Sequence, residues 1–175
     1  ILQTSAATLG VSFTGISGVP GEGATKLHTQ RIALLDQYGG SMPSGWTRFE
    51  LEQFDFPYTV VYPKDLDAGD LNAKYDVILL VDTRIQGSAG SGGGRGFGGF
   101  GGRGAADVPA AYQHMLGNVT AAQTVPQLKT FMEHGGTVLT VGAATSMAYD
   151  LGLPVEDQLT ERTPTGQVRP LTGEQ

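Results

Sequence analysis

Gly142-Ala143-Ala144-Thr145-Ser146 joins an apolar run to a helical pattern. A sharp strand-to-helix turn of this kind is where α/β hydrolases hold a nucleophile above the sheet. The G-x-S-x-G pattern is absent, so Thr145 or Ser146 would be the nucleophile, working with Asp82 or another base. The three histidines are His28, His114 and His134, and none follows the turn as the usual chain order requires. The alternative role for Thr145 or Ser146 is to cap a short helix. Asp82 directly follows the most apolar run of the chain. It is placed to bind a ligand or a metal, or to hydrogen-bond the adjoining loop. Gly39-Gly40-Ser41 could contact an anion through backbone N–H groups.

Metal chemistry has little support. The H-x-x-E and H-E-x-x-H spacings that put two zinc ligands on one face are missing, and there is no Cys. Asp65-Leu66-Asp67-Ala68-Gly69-Asp70 has the flavour of a calcium loop. Its Gly69 is not at the sixth position, however, and the twelfth is Asp76 where the loop needs Glu. A solvated acidic turn fits better. Asn118-Val119-Thr120 matches the glycosylation acceptor pattern, which also arises by chance.

The elements that must position these residues are short. Residues 1–30 read as a linker or the end of a preceding region, with Val11, Phe13 and Ile16 forming at most one strand. Ile32-Ala33-Leu34-Leu35 and Val77-Ile78-Leu79-Leu80-Val81 are apolar runs without alternation, as in strands buried on both faces. Residues 56–62 and 137–141 are rich in strand formers. Ser44 is a candidate N-cap for a helix over 45–54, with Trp46, Phe49 and Phe54 on one face. Residues 65–72 read as a polar turn or short helix. Thr124 opens a helix with Pro126 in its first turn and Val125, Leu128, Phe131 and Met132 at helical spacing; His134 lies in its last turn and Gly135 ends it. A short helix over 143–151 follows the last apolar run. Residues 158–175 read as a polar tail, with no core-quality strand.

Residues 87–104 hold 11 of the 27 glycines, with Arg95, Phe97, Phe100 and Arg103 between them. So many glycines cannot offset the entropy of an ordered element, which predicts a flexible insertion. The stretch resembles arginine–glycine RNA-binding segments only superficially, and it contains no phosphate-binding G-x-x-x-x-G-K-[ST].

Strands and helices in this order predict an α/β fold. The expected form is a flavodoxin-like three-layer α/β/α domain with a mainly parallel sheet over residues 31–157. The 175 residues suffice for one such domain, and 39% hydrophobic residues suffice for its core. With 11 Lys and Arg against 17 Asp and Glu, the formal net charge is −6. That charge disfavours nucleic acid and anionic membranes as partners. No apolar run reaches the ~18 residues of a membrane span. A start at Ile1 rather than Met suggests a piece of something longer.

Several blocks carry a resemblance. They are Arg31-Ile32-Ala33-Leu34, Gly45-Trp46-Thr47-Arg48-Phe49, Phe56-Pro57-Tyr58, Asp76-Val77-Ile78-Leu79, Gly135-Gly136-Thr137, and Leu151-Gly152-Leu153-Pro154-Val155. Together they resemble the class I glutamine amidotransferase-like domain that follows the metallopeptidase domain in secreted bacterial zinc carboxypeptidase-like proteins. The likeness covers about residues 31–157. It implies a flavodoxin-like fold, a secreted or periplasmic location, and an adjoining metallopeptidase domain of the same parent as partner. Zinc would then be needed only upstream, with no cofactor in this chain. True glutamine amidotransferases carry a Cys in a G-x-C-x-G turn, where this sequence has Ala144. Ala has no lone pair with which to attack an amide.

The resulting expectation is a non-catalytic accessory domain, structural or binding a peptide, a glycan or its neighbouring domain at the strand ends. The alternatives are a small-ligand-binding flavodoxin-like module at Gly39, Gly40 and Ser41, and a stand-alone hydrolase using Ser146 or Thr145.

Overall fold

The computed structural model describes residues 2–18, 28–88, 108–156, 160–162 and 164–171. Residues 89–104 of the glycine-rich stretch, and residues 19–27 of the linker, lie outside them. Four short strands form one parallel sheet: β1 (Ile32–Leu35), β2 (Tyr58–Val61), β3 (Val77–Val81) and β4 (Thr137–Val141). Their order is β2-β1-β3-β4. In register, Ala33 lies beside Thr59 and Ile78, and Ile78 beside Val138. Burial on both faces explains the unalternating sequence of β1, whereas β3 is fully buried only on the face of Ile78 and Leu80 and partly buried at Val77, Leu79 and Val81. The fold is α/β with a parallel sheet between helical layers, in the first four places of the flavodoxin-like order.

One face holds the main core. Ala33, Leu35, Ile78 and Leu80 point to it and meet Leu66, Leu71, Leu128 and Phe131. These come from α3 (Pro63–Asp67), α4 (Leu71–Lys74) and α5 (Thr124–Glu133). The expected helix over 124–134 is therefore present, with Val125, Leu128 and Phe131 buried as their spacing predicts. Thr124 Oγ1 donates to Asp67 Oδ1 at 2.7 Å and accepts from Thr120 N at 3.1 Å, so it ties α5 to α3. Residues 65–72 form two helical turns separated by Ala68, Gly69 and Asp70.

The opposite face carries Ile32 and Leu34, both buried. The helix packed there is α2 (Met42–Gln53), which contacts β3. It differs from the sequence expectation in two ways. Its cap is Ser41, whose Oγ accepts from Ser44 N at 3.2 Å, and Ser44 sits buried in the first turn. It also spans residues 42–53 rather than 45–54, and Trp46, Phe49 and Phe54 are exposed. Further along this face Leu139 and Val141 of β4 are also exposed.

Outside the sheet, Leu2–Leu9 is a helix, α1, and residues 11–16 have no regular structure, so the expected strand at Val11, Phe13 and Ile16 is not formed. A 3-10 turn, Gly142–Ser146, leads into α6 (Met147–Asp150), matching the expected short helix. The tail holds a feature the polar sequence hid. Two strands, β5 (Thr160–Arg162) and β6 (Val168–Pro170), pair antiparallel around the Thr165-Gly166 turn. Arg169 Nε donates to Glu161 Oε1 across the pair at 2.6 Å.

Candidate functional site

In a parallel sheet, neighbouring connections run to opposite sides where the strand order reverses, leaving a crevice at the carboxyl ends. Here that place lies between β1 and β3. A cavity of about 440 Å³ opens there. Its floor is Leu35 and Val81, the last residues of the two strands. Three loops build its walls. Asp36, Gln37 and Ser41 come from the β1–α2 loop; Asp82, Thr83, Arg84 and Gln86 follow β3; Gly117, Asn118 and Val119 precede α5.

The third wall is brought in by backbone pairing. Gln86 N donates to Val119 O at 2.8 Å, and Ala121 N donates to Gln86 O at 2.8 Å. Val119 and Ile85 are buried beneath, which anchors both segments to the core. The first wall is set by the turn after β1. Gly39 and Gly40 both take positive φ (84° and 72°), a region glycine enters without strain. Gly40 N donates to Gln37 O at 2.8 Å, and the chain turns back so that Ser41 caps α2 at the cavity.

Asp36 is buried at the base of this wall. It pairs with Arg48 of α2, and its Oδ1 accepts from Gln37 N at 2.9 Å. Its charge is therefore answered from within the protein. Tyr62, at the end of β2, has its phenol pushed above the ordinary value, first by burial and then by the charge of Asp36. The Tyr62 and His114 rings meet edge to face at 5.6 Å, and Tyr38 and Tyr112 stand 6.2 Å apart. Arg84 is exposed and makes no ion pair among the described residues.

The sequence-predicted residues divide. Ser41 and Asp82 line the cavity; Gly39 and Gly40 shape its wall without lining it. Asp82 has φ 48°, and its Oδ1 accepts from Ala143 N at 3.2 Å, so it caps the 3-10 turn. Thr145 and Ser146 do not line the cavity. Thr145 Oγ1 donates to Gly142 O at 2.8 Å. Ala144 is fully buried in the core, and the positive φ of this turn falls on Gly142 (64°). A side chain at 144 faces inward here. His134 ends α5 ahead of β4, so the length of that strand separates it from Ser146.

Two of the three carboxylates of the acidic turn at 65–70 are also engaged. Asp65 Oδ2 accepts from Tyr62 N at 2.8 Å and Asp67 Oδ1 accepts from Thr124. Among the described residues, no three His, Asp or Glu side chains converge as a metal site would need. No helix among them is long and apolar enough to cross a membrane.

Gln37, Thr83, Arg84, Gln86 and Asn118 were not singled out for the crevice by sequence reasoning. Their one signal was position: Gln37 follows β1 and Thr83, Arg84 and Gln86 follow β3, where strand ends gather ligands. Asn118 drew notice only within a glycosylation pattern, whereas the structure sets it on the cavity wall. No family model matches the chain, and comparison with curated proteins and with solved structures likewise found no similar protein.

Proposed function

We propose that this chain is a non-catalytic binding domain whose β1–β3 crevice takes a small polar ligand carrying an anionic group. Ligand sites commonly occupy roughly 300–1,000 Å³ with a few convergent polar groups, and this crevice is about 440 Å³. The observation that carries the reading is the gathering of side-chain donors Gln37, Ser41, Arg84, Gln86 and Asn118 from three loops. Of the acids beside them, Asp36 is paired with Arg48, while Asp82 accepts from Ala143 N and keeps its charge. Arg84 is left as the cation facing an incoming anion. The amino end of α2 adds partial positive charge on the opposite wall. The non-catalytic part rests on Ala144 facing the core and on the engaged hydroxyl of Thr145.

The resemblance to the domain beside a zinc metallopeptidase supports a wider role. On that reading the chain is an accessory of a secreted zinc carboxypeptidase-like parent, and the ligand is an acidic group of a peptide or glycan. The test is calorimetric titration with inorganic phosphate, a flavin mononucleotide, an adenine nucleotide and an acidic dipeptide. Saturable heat with one of them, weakened about tenfold or more by Arg84→Ala, is expected for loss of a charge-assisted contact. Flat titrations throughout would sink the ligand-binding reading. Hydrolysis of a model ester or amide that disappears in Ser146→Ala or Thr145→Ala would replace the non-catalytic one.

A further inference from the structure

α2 turns its most apolar side away from the protein. Its inner face is Ser44, Thr47, Arg48 and Leu51, with Ser44 buried. Met42, Trp46 and Phe49 fall at i, i+4 and i+7, one stripe along the helix. They are 66%, 64% and 48% exposed. Phe54 and Phe56, past the end of the helix, are exposed as well. The Trp46 and Phe49 rings meet edge to face at 5.9 Å. Single apolar residues are ordinary on a surface; three large ones in one stripe along a helix form a patch. Trp, Phe and Met are also the side chains that anchor the centres of interfaces.

The border of this stripe is acidic. Glu50 and Glu52 flank it on the two sides of the helix, and Asp55 follows its carboxyl end; all three are exposed. The basic residue of the helix, Arg48, is turned inward to Asp36. A second copy would set like charges against these carboxylates, in a chain of net charge −6. An anionic lipid surface would be repelled for the same reason. A cationic partner is favoured by each of these terms.

We propose that the outer face of α2 docks a basic amphipathic helix of another polypeptide. Its apolar side would cover Met42, Trp46 and Phe49, and its Lys and Arg residues would face Glu50, Glu52 and Asp55. This surface lies on the far side of α2 from the sheet and does not depend on ligand binding in the crevice.

Trp46 is the only tryptophan, so its emission reports cover of the stripe. The whole chain is titrated with a synthetic Leu/Lys amphipathic helix of about 18 residues, or five turns, and with its Leu/Glu counterpart. A saturable blue shift with the Leu/Lys peptide, and none with the Leu/Glu peptide, is expected. Phe49→Asp adds negative charge yet should weaken binding about tenfold or more, because it removes an anchor. Glu50→Lys with Asp55→Lys should weaken it and flatten its salt dependence. Both changes are at exposed positions, and an unchanged far-UV circular dichroism spectrum checks the fold. The proposal is overturned by no shift, by equal shifts with both peptides, or by undiminished affinity in Phe49→Asp. A blue shift that grows with protein concentration alone, with a doubled mass in light scattering, would assign the face to a second copy instead. A shift with phosphatidylserine vesicles and none with the peptide would assign it to a membrane.

Discussion

Asp82 and Gly142 hold each other in place at the carboxyl ends of β3 and β4. Both take positive φ, 48° and 64°. A Cβ on residue 142 would come within 2.9 Å of Asp82 Oδ1, the same oxygen that accepts from Ala143 N. Gly142→Ala should therefore cost about 1–3 kcal/mol, from a left-handed backbone and a crowded carboxylate together. Asp82→Ala should cost about 1 kcal/mol through the lost cap. In the double variant the crowding is gone, so the two costs should sum to more than the measured total. Urea unfolding of the four proteins reads the coupling. Strict additivity would mean that the two residues do not interact.

A second glycine is required for space rather than for its backbone angle. Gly136 joins α5 to β4, and a Cβ there would overlap the ring of Phe131, which is fully buried. Gly136→Ala should cost about 1–3 kcal/mol as overpacking. Phe131→Leu alone should cost a comparable amount through its cavity, but it should rescue part of the Gly136→Ala loss when the two are combined. A double variant as unstable as the sum of the two would remove the ring overlap as the cause.

These two junctions show what the sequence made legible. The strands were readable because β1 and β3 are apolar on both faces, and α5 because Val125, Leu128 and Phe131 share one stripe. The order of strands then located the crevice, and with it Ser41 and Asp82. The exposure of the apolar side of α2 was not legible, for a physical reason. Periodicity says that Trp46 and Phe49 share a side of the helix with their neighbours, but it cannot say whether the protein or a partner covers that side. The inner face is instead held by a polar device, Arg48 on buried Asp36. Gln86 and Asn118 were invisible for another reason. They are brought together by backbone bonds between loops distant in sequence, and such bonds leave no trace in side-chain pattern.

The Arg48–Asp36 pair makes its own prediction. The Asp36 side chain is 4% exposed and that of Arg48 35%. Arg48→Ala would leave a buried carboxylate without its partner, a change that costs about 3 kcal/mol when the site is dry. Water reaching the arginine side should bring the loss nearer to about 2 kcal/mol. Replacing both partners with apolar residues of similar size, Asp36→Leu with Arg48→Met, should recover most of it, because no charge is then stranded. Urea midpoints at neutral pH measure both. A double variant less stable than Arg48→Ala would show that the pair contributes by more than mutual compensation.

At the opposite end of the sheet, Arg31 fastens the entry of β1 to the entry of β3. Its guanidinium donates to Asp76 Oδ1 at 2.8 Å, and its backbone N–H to Asp76 Oδ2 at 2.8 Å. It also reaches Ala73 O at 2.6 Å. The side-chain hydrogen bonds from Arg31, then the backbone one, hold the Asp76 carboxyl at about 2, below its ordinary 3.8. A lowered carboxyl binds its proton less readily in the folded protein than in the unfolded chain. Its stabilising effect is therefore full above 3.8 and is lost as pH falls through about 2. Asp76→Asn should lower the melting temperature at pH 7, and the gap to the parent should narrow below pH 3.8 and close near pH 2. Salt should shrink the gap at neutral pH only in part, because the pair is partly exposed while its hydrogen bonds are short-range. Thermal scans across this pH range decide the matter, and a gap of constant size down to pH 2 would show that the charge of Asp76 is not what secures the junction.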